Sequence, residues 1–171
     1  MTVVAFALLG AVTGALTAAI LLMLDFKGNS IYIVPGLVFG IAVAIVWWRR
    51  WRLAPARAAA YVVAVGLANA AAVFVALFVT DDIGKMVGKE PGLAITGALA
   101  GAVGAGLATG MARRLIAMVH WLWPIAMGAI LGAMLQVFVD GEEIGVFVFY
   151  MVWQAGFAAA TAATLPPLEK T

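Results

Sequence analysis

The chain has 171 residues, of which 66% are hydrophobic and 11% are charged. A water-soluble domain usually carries about 25% charged residues, so this chain has too little polar surface to cover a globule in water. Its net charge of +2 is small and gives no general attraction to nucleic acid or another polyanion. The absence of cysteine excludes disulfides, thiolate metal ligands and cysteine nucleophiles.

Six apolar segments follow one another along the chain, and none contains Asp, Glu, Lys or Arg. Each is about 18–25 residues long, enough for a helix to cross about 30 Å of hydrocarbon. We therefore predict an all-α membrane protein that forms one integral membrane domain over residues 1–171. The predicted transmembrane spans are 3–24, 31–48, 58–80, 91–112, 115–139 and 144–165.

The charges divide unequally between two sets of connections. One set holds all six arginines with Glu169 and Lys170, a net charge of +6, and the other holds three lysines and seven carboxylates, a net charge of −4. Connections rich in arginine stay on the cytoplasmic side of a membrane. The asymmetry predicts a multi-pass protein of a bacterial-type inner (plasma) membrane with both termini in the cytoplasm.

Tryptophan and arginine alternate where the second span ends. Rings at this depth are typical of the aromatic belt, and each arginine beyond them is attracted to anionic headgroups by about 1 kcal/mol. A nucleic-acid site would need stacking rings displayed to solvent, so we expect a lipid bilayer as the partner and no nucleic acid. The residues assigned to the membrane interface are Trp47, Trp48, Arg49, Arg50, Trp51 and Arg52.

Glycines four residues apart recur in most of the spans. Such pairs let helix backbones approach closely, and we expect Gly97, Gly101, Gly128 and Gly132 to pack helices together. Span 4 is so rich in small residues that it is predicted to lie centrally, with a path beside it as the functional alternative. The glycine pairs are 10/14, 36/40, 97/101, 106/110 and 128/132.

Glycine and acidic residues also recur with similar spacing, which favours three helical hairpins arranged in parallel. In each hairpin a glycine precedes an outer aspartate and another glycine follows it. Because Gly and Ala are so frequent, such alignments also arise from composition alone. The three sets are Gly14, Asp25 and Gly40; Gly66, Asp81 and Gly97; and Gly128, Asp140 and Gly156.

A few polar side chains lie within the spans. An unpaired amide is costly in hydrocarbon, so these groups should face the protein interior. They either join helices by hydrogen bonds or line a path for a small polar solute, and both alternatives remain open. The candidates for a solute path are Asn69, Thr96, Gln136 and Gln154.

Two connections carry further signals. Pro124 deprives the His120 carbonyl of its helical partner, so a kink is expected in span 5, with His120 near the membrane interface. In the outer loop DDIGKMVGKE, Ile83, Met86 and Val87 have the spacing of one apolar helical face and predict a short interfacial turn.

The sequence lacks the residues that membrane enzymes use. Ser30 is the one serine and lies in a loop, His120 is the one histidine, and no span contains paired carboxylates. We therefore predict a non-enzymatic protein with no catalytic residues, no metal and no cofactor. The first hypothesis is a passive channel or facilitator for a small, weakly charged solute. The alternative is an accessory or scaffold subunit of a larger membrane complex. Either role implies a homo-oligomer or partner membrane subunits.

Overall fold

The computed structural model describes residues 2–24, 30–116, 120–134 and 143–165. Within these ranges the protein consists of six α-helices and no strands, which confirms the all-helical prediction. Five helices are long and apolar enough to cross a membrane, whereas α5 is shorter. The helices are α1 (Val3–Met23), α2 (Ser30–Trp51), α3 (Pro55–Val87), α4 (Lys89–Leu115), α5 (Leu122–Ala133) and α6 (Glu143–Ala163).

The helix boundaries follow from local chemistry. Thr2 caps α1, because its hydroxyl accepts a hydrogen bond from the Ala5 N–H at 3.3 Å. Arg52 adopts a positive φ of 50° directly after α2, and Pro55 then begins α3 at a position where a missing N–H costs nothing. Gly88, with φ 94°, is the single residue between α3 and α4, a conformation that glycine adopts without strain.

Helix α3 is longer than the span predicted from hydropathy. Its 33 residues correspond to about 50 Å at a rise of 1.5 Å per residue. The segment Asp81–Val87 is helical, as the spacing of its apolar residues predicts, but it continues α3 and does not form a separate interfacial turn. Gly92 of α4 approaches Gly84 of α3 so closely that a Cβ on Gly92 would lie 2.7 Å from the Gly84 Cα. The two helices therefore stay paired up to the Gly88 turn.

Helix α5 begins later than predicted because of Pro124. The helix starts at Leu122, so Pro124 lies in the first turn, where its missing N–H removes no helical hydrogen bond. The N–H of Trp123 donates to the His120 carbonyl at 3.1 Å. The kink predicted inside span 5 is replaced by a helix start.

The six helices form a closed ring. Each helix contacts its neighbours in the chain, and α6 returns to contact α1. Neighbouring helices are antiparallel: Gly97 on α4 faces Gly132 on α5, and Gly101 faces Gly128. Helix α4 has the largest buried share of the apolar helices, 44%, but it is a member of the ring with its main contacts to α3 and α5.

This alternation brings all six arginines to one end of the ring, named here the arginine end. It comprises the last turns of α2 and α4 and the first turns of α3 and α5. A buried hydrophobic cluster fills the ring from this end toward the middle. Its largest side chains are Phe6, Phe39, Trp47, Tyr61 and Phe157.

The outside of the ring is apolar. Along α1, Val4, Leu8, Val12 and Leu16 are 67%, 62%, 66% and 52% exposed at intervals of four residues. On α3, Leu67 and Phe78 are exposed in the same way. A soluble monomer rarely exposes a continuous apolar surface of this extent, so something other than water must cover it.

Candidate functional site

A small cavity lies where α2, α3, α4 and α6 meet. Its volume is about 20 Å³, close to the minimum of about 10–15 Å³ that one water needs. Among the described residues the wall is built mainly of small and aromatic side chains, and Asn69 is the one amide. The lining residues are Gly36, Phe39, Val65, Ala68, Asn69, Ala72, Gly104, Ala105, Ala108, Trp153 and Phe157.

Asn69 ties α3 to α2 beside this cavity. Its Nδ2 donates a hydrogen bond to the Tyr32 carbonyl at 2.7 Å. The Tyr32 ring stacks on Phe74, with 5.3 Å between the ring centroids. Asn69 thus makes an interhelical bond and also borders the cavity.

Gln154 forms a second polar contact between helices. The side chain is fully buried, and its Nε2 donates to the Thr17 hydroxyl at 3.0 Å and to the Pro35 carbonyl at 3.4 Å. Three helices, α1, α2 and α6, therefore meet at one amide. Among the described residues its Oε1 has no hydrogen-bond partner.

The predicted solute-path residues do not surround one space. Thr96 is buried at 3% exposure but does not line the central cavity, and neither does Gln154. Thr109, a second buried threonine of α4, also lies away from the cavity wall. Gln136 lies outside the described residues. Of the three candidates within the described residues, the structure places Asn69 alone on the cavity.

The glycines predicted to pack helices lie where backbones meet. A Cβ built on Gly101 would overlap the Gly128 carbonyl oxygen and lie 3.2 Å from the Gly132 Cα. Gly97 and Gly132 face each other in the same way. Gly10 and Gly14 of α1 lie against the backbone of α6, and Gly36 and Gly40 of α2 lie against α3.

The pair Gly106 and Gly110 differs from the other four. A Cβ on Gly106 would meet only the Ile125 Cδ1, at 3.8 Å, and a Cβ on Gly110 would meet nothing within 4 Å. Gly110 therefore points away from the ring, whereas Gly106 lies loosely against a side chain of α5, and no described helix packs its backbone against this pair.

Trp47 departs from the interface assignment. Its ring is fully buried and packs on Tyr61 at a centroid distance of 4.5 Å, so it contacts the core and not lipid. The burial of Trp47 could have been predicted from its position in α2. It follows Gly36, Gly40 and Val43 at helical spacing, and these three residues form the buried face of the helix.

The other interface residues lie nearer the surface. Trp48 is 51% exposed, and Arg49 and Arg52 are exposed. Trp51 is half-buried, and the Arg50 guanidinium lies 5.2 Å from its ring centroid. These residues lie on the outer surface of the arginine end, beside the buried Trp47.

A larger cavity, not anticipated from the sequence, opens at the start of α5. Its volume is about 400 Å³, and it is lined by residues 120–123 and Ala126. The Arg113 guanidinium lies 4.8 Å from the centroid of the Trp121 ring, which forms part of the wall. Pro124 was the one sequence feature that pointed to this place, because a proline in the first turn is typical of a helix start.

Five long apolar helices with uncovered outer faces indicate a multi-pass membrane protein. Comparison of the chain with protein-family models, with curated proteins and with solved structures found no match in any of the three.

Proposed function

We propose that the ring spans a bacterial-type inner membrane with the arginine end and both termini in the cytoplasm. The outward apolar faces of α1 and α3 support insertion, since lipid would cover what water cannot. The gathering of all six arginines at one end supports the orientation. The opposite end carries Asp81, Asp82 and Glu90.

The ring also supports an arrangement of three parallel hairpins, α1–α2, α3–α4 and α5–α6. The leading glycine of each hairpin lies against the trailing helix of another hairpin: Gly14 against α6, Gly66 against Leu37 of α2, and Gly128 against α4. A circularly permuted chain that begins at Ala54 and ends at Leu53, and so keeps the buried Leu53, should then fold. Failure of that chain to fold, with an adequate linker from residue 171 to residue 1, would count against the repeat.

We further propose that the protein is a non-catalytic accessory subunit of a larger membrane complex. The observation that carries this proposal is the closed centre of the ring. Small-molecule sites usually enclose about 300–1,000 Å³, whereas the central cavity has about 20 Å³. Two of the polar groups that could line a path are instead bonded between helices, Asn69 to the Tyr32 carbonyl and Gln154 to Thr17.

We expect a partner helix to dock at the outward-facing Gly110 and the loosely packed Gly106 beside it. Glycine at i and i+4 opens a groove that admits another backbone, and in the other four pairs such a groove is occupied by a helix of this chain. Because the chain has no cysteine, a single Gly110→Cys variant gives a clean attachment point for a photo-crosslinker in native membranes.

The expected result is one discrete heavier species from the Gly110 position. A crosslinker at Leu8, which is equally lipid-facing on α1 with 62% exposure, is the matched control and should give none. Mass analysis of the product separates a partner subunit from a second copy of this chain. Identical smears from both positions would contradict the accessory role.

A facilitator for a water-sized solute is the second candidate. It is favoured by Asn69, which places an amide on the wall of the central cavity. The path would then run through the ring beside Phe39 and Phe157, whose rings lie 5.5 Å apart. Solute flux in liposomes distinguishes this candidate from the first.

A further inference from the structure

The cavity at the start of α5 has the form of a ligand site. Its volume of about 400 Å³ falls within the usual range of about 300–1,000 Å³ for small-molecule sites. The wall is almost entirely apolar and includes Trp121, Leu122 and Trp123. Leu122 and Trp123 are 62% and 64% exposed, so the cavity opens on the outer surface of the ring.

A cation is held at the edge of this apolar space. The Arg113 guanidinium stacks 4.8 Å from the Trp121 ring centroid, an arrangement that orients arginine without neutralising it. Arg113 is exposed. The one salt bridge among the described residues, Lys85 to Asp82, is at the far end of the bundle. Arg113 is therefore available to an anion.

The first turn of α5 adds positive potential at the same place. No side chain caps the amino-terminal end of α5. The Trp123 N–H already donates to the His120 carbonyl and Pro124 has no N–H, so the attraction for an anion comes from the helix dipole. His120 lies on the cavity wall directly before this turn. The cavity thus combines an apolar wall with a rim that attracts negative charge.

We propose that this cavity binds one anionic phospholipid, with its phosphate beside Arg113 and an acyl chain along Trp121, Trp123 and Ala126. A free phosphate would use the rim but leave the apolar wall uncovered, and a neutral lipid would cover the wall but leave the cation unpaired. Basic pockets between helices on the cytoplasmic side are a recognised form of headgroup site. The proposal rests on membrane insertion and is independent of the accessory role.

The test is native mass spectrometry of the purified full chain in a neutral detergent. Phosphatidylglycerol and phosphatidylcholine with the same acyl chains are titrated separately. We expect one phosphatidylglycerol bound at least about tenfold more tightly than phosphatidylcholine, a ratio that corresponds to about 1.4 kcal/mol. Millimolar inorganic phosphate should not displace it.

Three variants locate the site. Arg113→Gln should weaken phosphatidylglycerol binding about tenfold and leave phosphatidylcholine binding unchanged. Ala126→Leu, which fills the cavity without changing charge, should weaken both lipids. Arg49→Gln removes an exposed arginine from the same end of the ring but away from the cavity, and it should change the affinity by less than about twofold.

Several results would overturn the proposal. Equal losses from Arg113→Gln and Arg49→Gln would mean general attraction of headgroups to the arginine end. Displacement by inorganic phosphate would assign the rim to a free anion. Unchanged binding in Ala126→Leu would exclude the cavity, and this holds even if Arg113→Gln does not fold, because Ala126 is exposed and its substitution leaves the core intact.

Discussion

Replacement of Gly101 by alanine is the sharpest test of the packing between α4 and α5. The added Cβ would overlap the Gly128 carbonyl oxygen and lie 2.8 Å from the Gly128 carbonyl carbon. Two carbons attract best at about 3.5–4.0 Å, so the two helices would have to separate. Both neighbours are backbone atoms, which cannot rotate away as a side chain would.

Gly110→Ala is the matched control on the same helix. Its Cβ would meet nothing within 4 Å, and both variants gain the same advantage of about 0.5–1 kcal/mol from alanine in a helix. That gain cancels in the comparison. Gly101→Ala should therefore be less stable than Gly110→Ala by the cost of overpacking, about 1–3 kcal/mol.

The measurement is unfolding in mixed micelles with a rising fraction of sodium dodecyl sulfate, followed by circular dichroism. The midpoint for Gly101→Ala should fall below that of the unmodified chain, and the midpoint for Gly110→Ala should equal or exceed it. Equal stability of the two variants would refute the close approach of α4 and α5.

Three further predictions concern the burial of Trp47, the hydrogen bond of Asn69 and the orientation in the membrane. Trp47→Ala should lower the free energy of unfolding by about 3–5 kcal/mol because the ring is buried, whereas Trp48→Ala should change it by less than about 0.5 kcal/mol; similar losses in the same micelle assay would contradict the burial of Trp47. Asn69→Leu removes the bond to the Tyr32 carbonyl and should cost about 0.6 kcal/mol, typical of such bonds between membrane helices; a stability above that of the unmodified chain would count against the bond. A membrane-impermeant maleimide should label Met86→Cys in intact cells and Arg57→Cys only after lysis, and the reverse pattern would invert the orientation.

The existence and order of the helices were predictable because the length of each apolar segment can be read directly from the sequence. The ends of the helices were less predictable. Hydropathy shows where an apolar segment gives way to charged residues, but a helix can end before or after that point. Helix α3 continues through Asp81 and Asp82, whose charges do not prevent helix formation outside the apolar segment. Helix α5 starts later than its apolar segment, at Leu122, because Pro124 is accommodated in its first turn.

The contacts between polar side chains could be predicted in kind but not in detail. Composition indicated that Asn69 and Gln154 must find partners away from lipid. The identity of the partner depends on which helices are neighbours and in what register. Thr17 and Gln154 are separated by 137 residues, and only the contact between α1 and α6 brings them together.

The cavity beside Arg113 could not be derived from hydropathy for a similar reason. It lies at the start of α5, where residues 120–123 and Ala126 form its wall. In the sequence, the tryptophans after Arg114 have the appearance of a second aromatic belt. In the structure, Trp121 and Trp123 instead form part of the cavity wall, and the Arg113 guanidinium lies over the Trp121 ring.

Solute flux in liposomes tests the central claim, a closed and non-conducting ring, most directly. The purified chain is reconstituted at known copy number, and the permeation of water, urea and monovalent cations is measured by stopped-flow light scattering and ion-sensitive dyes. The closed cavity predicts rates equal to those of protein-free liposomes. Flux well above that background, lost in a folded Asn69→Leu variant, would contradict the claim and establish the central cavity as a path.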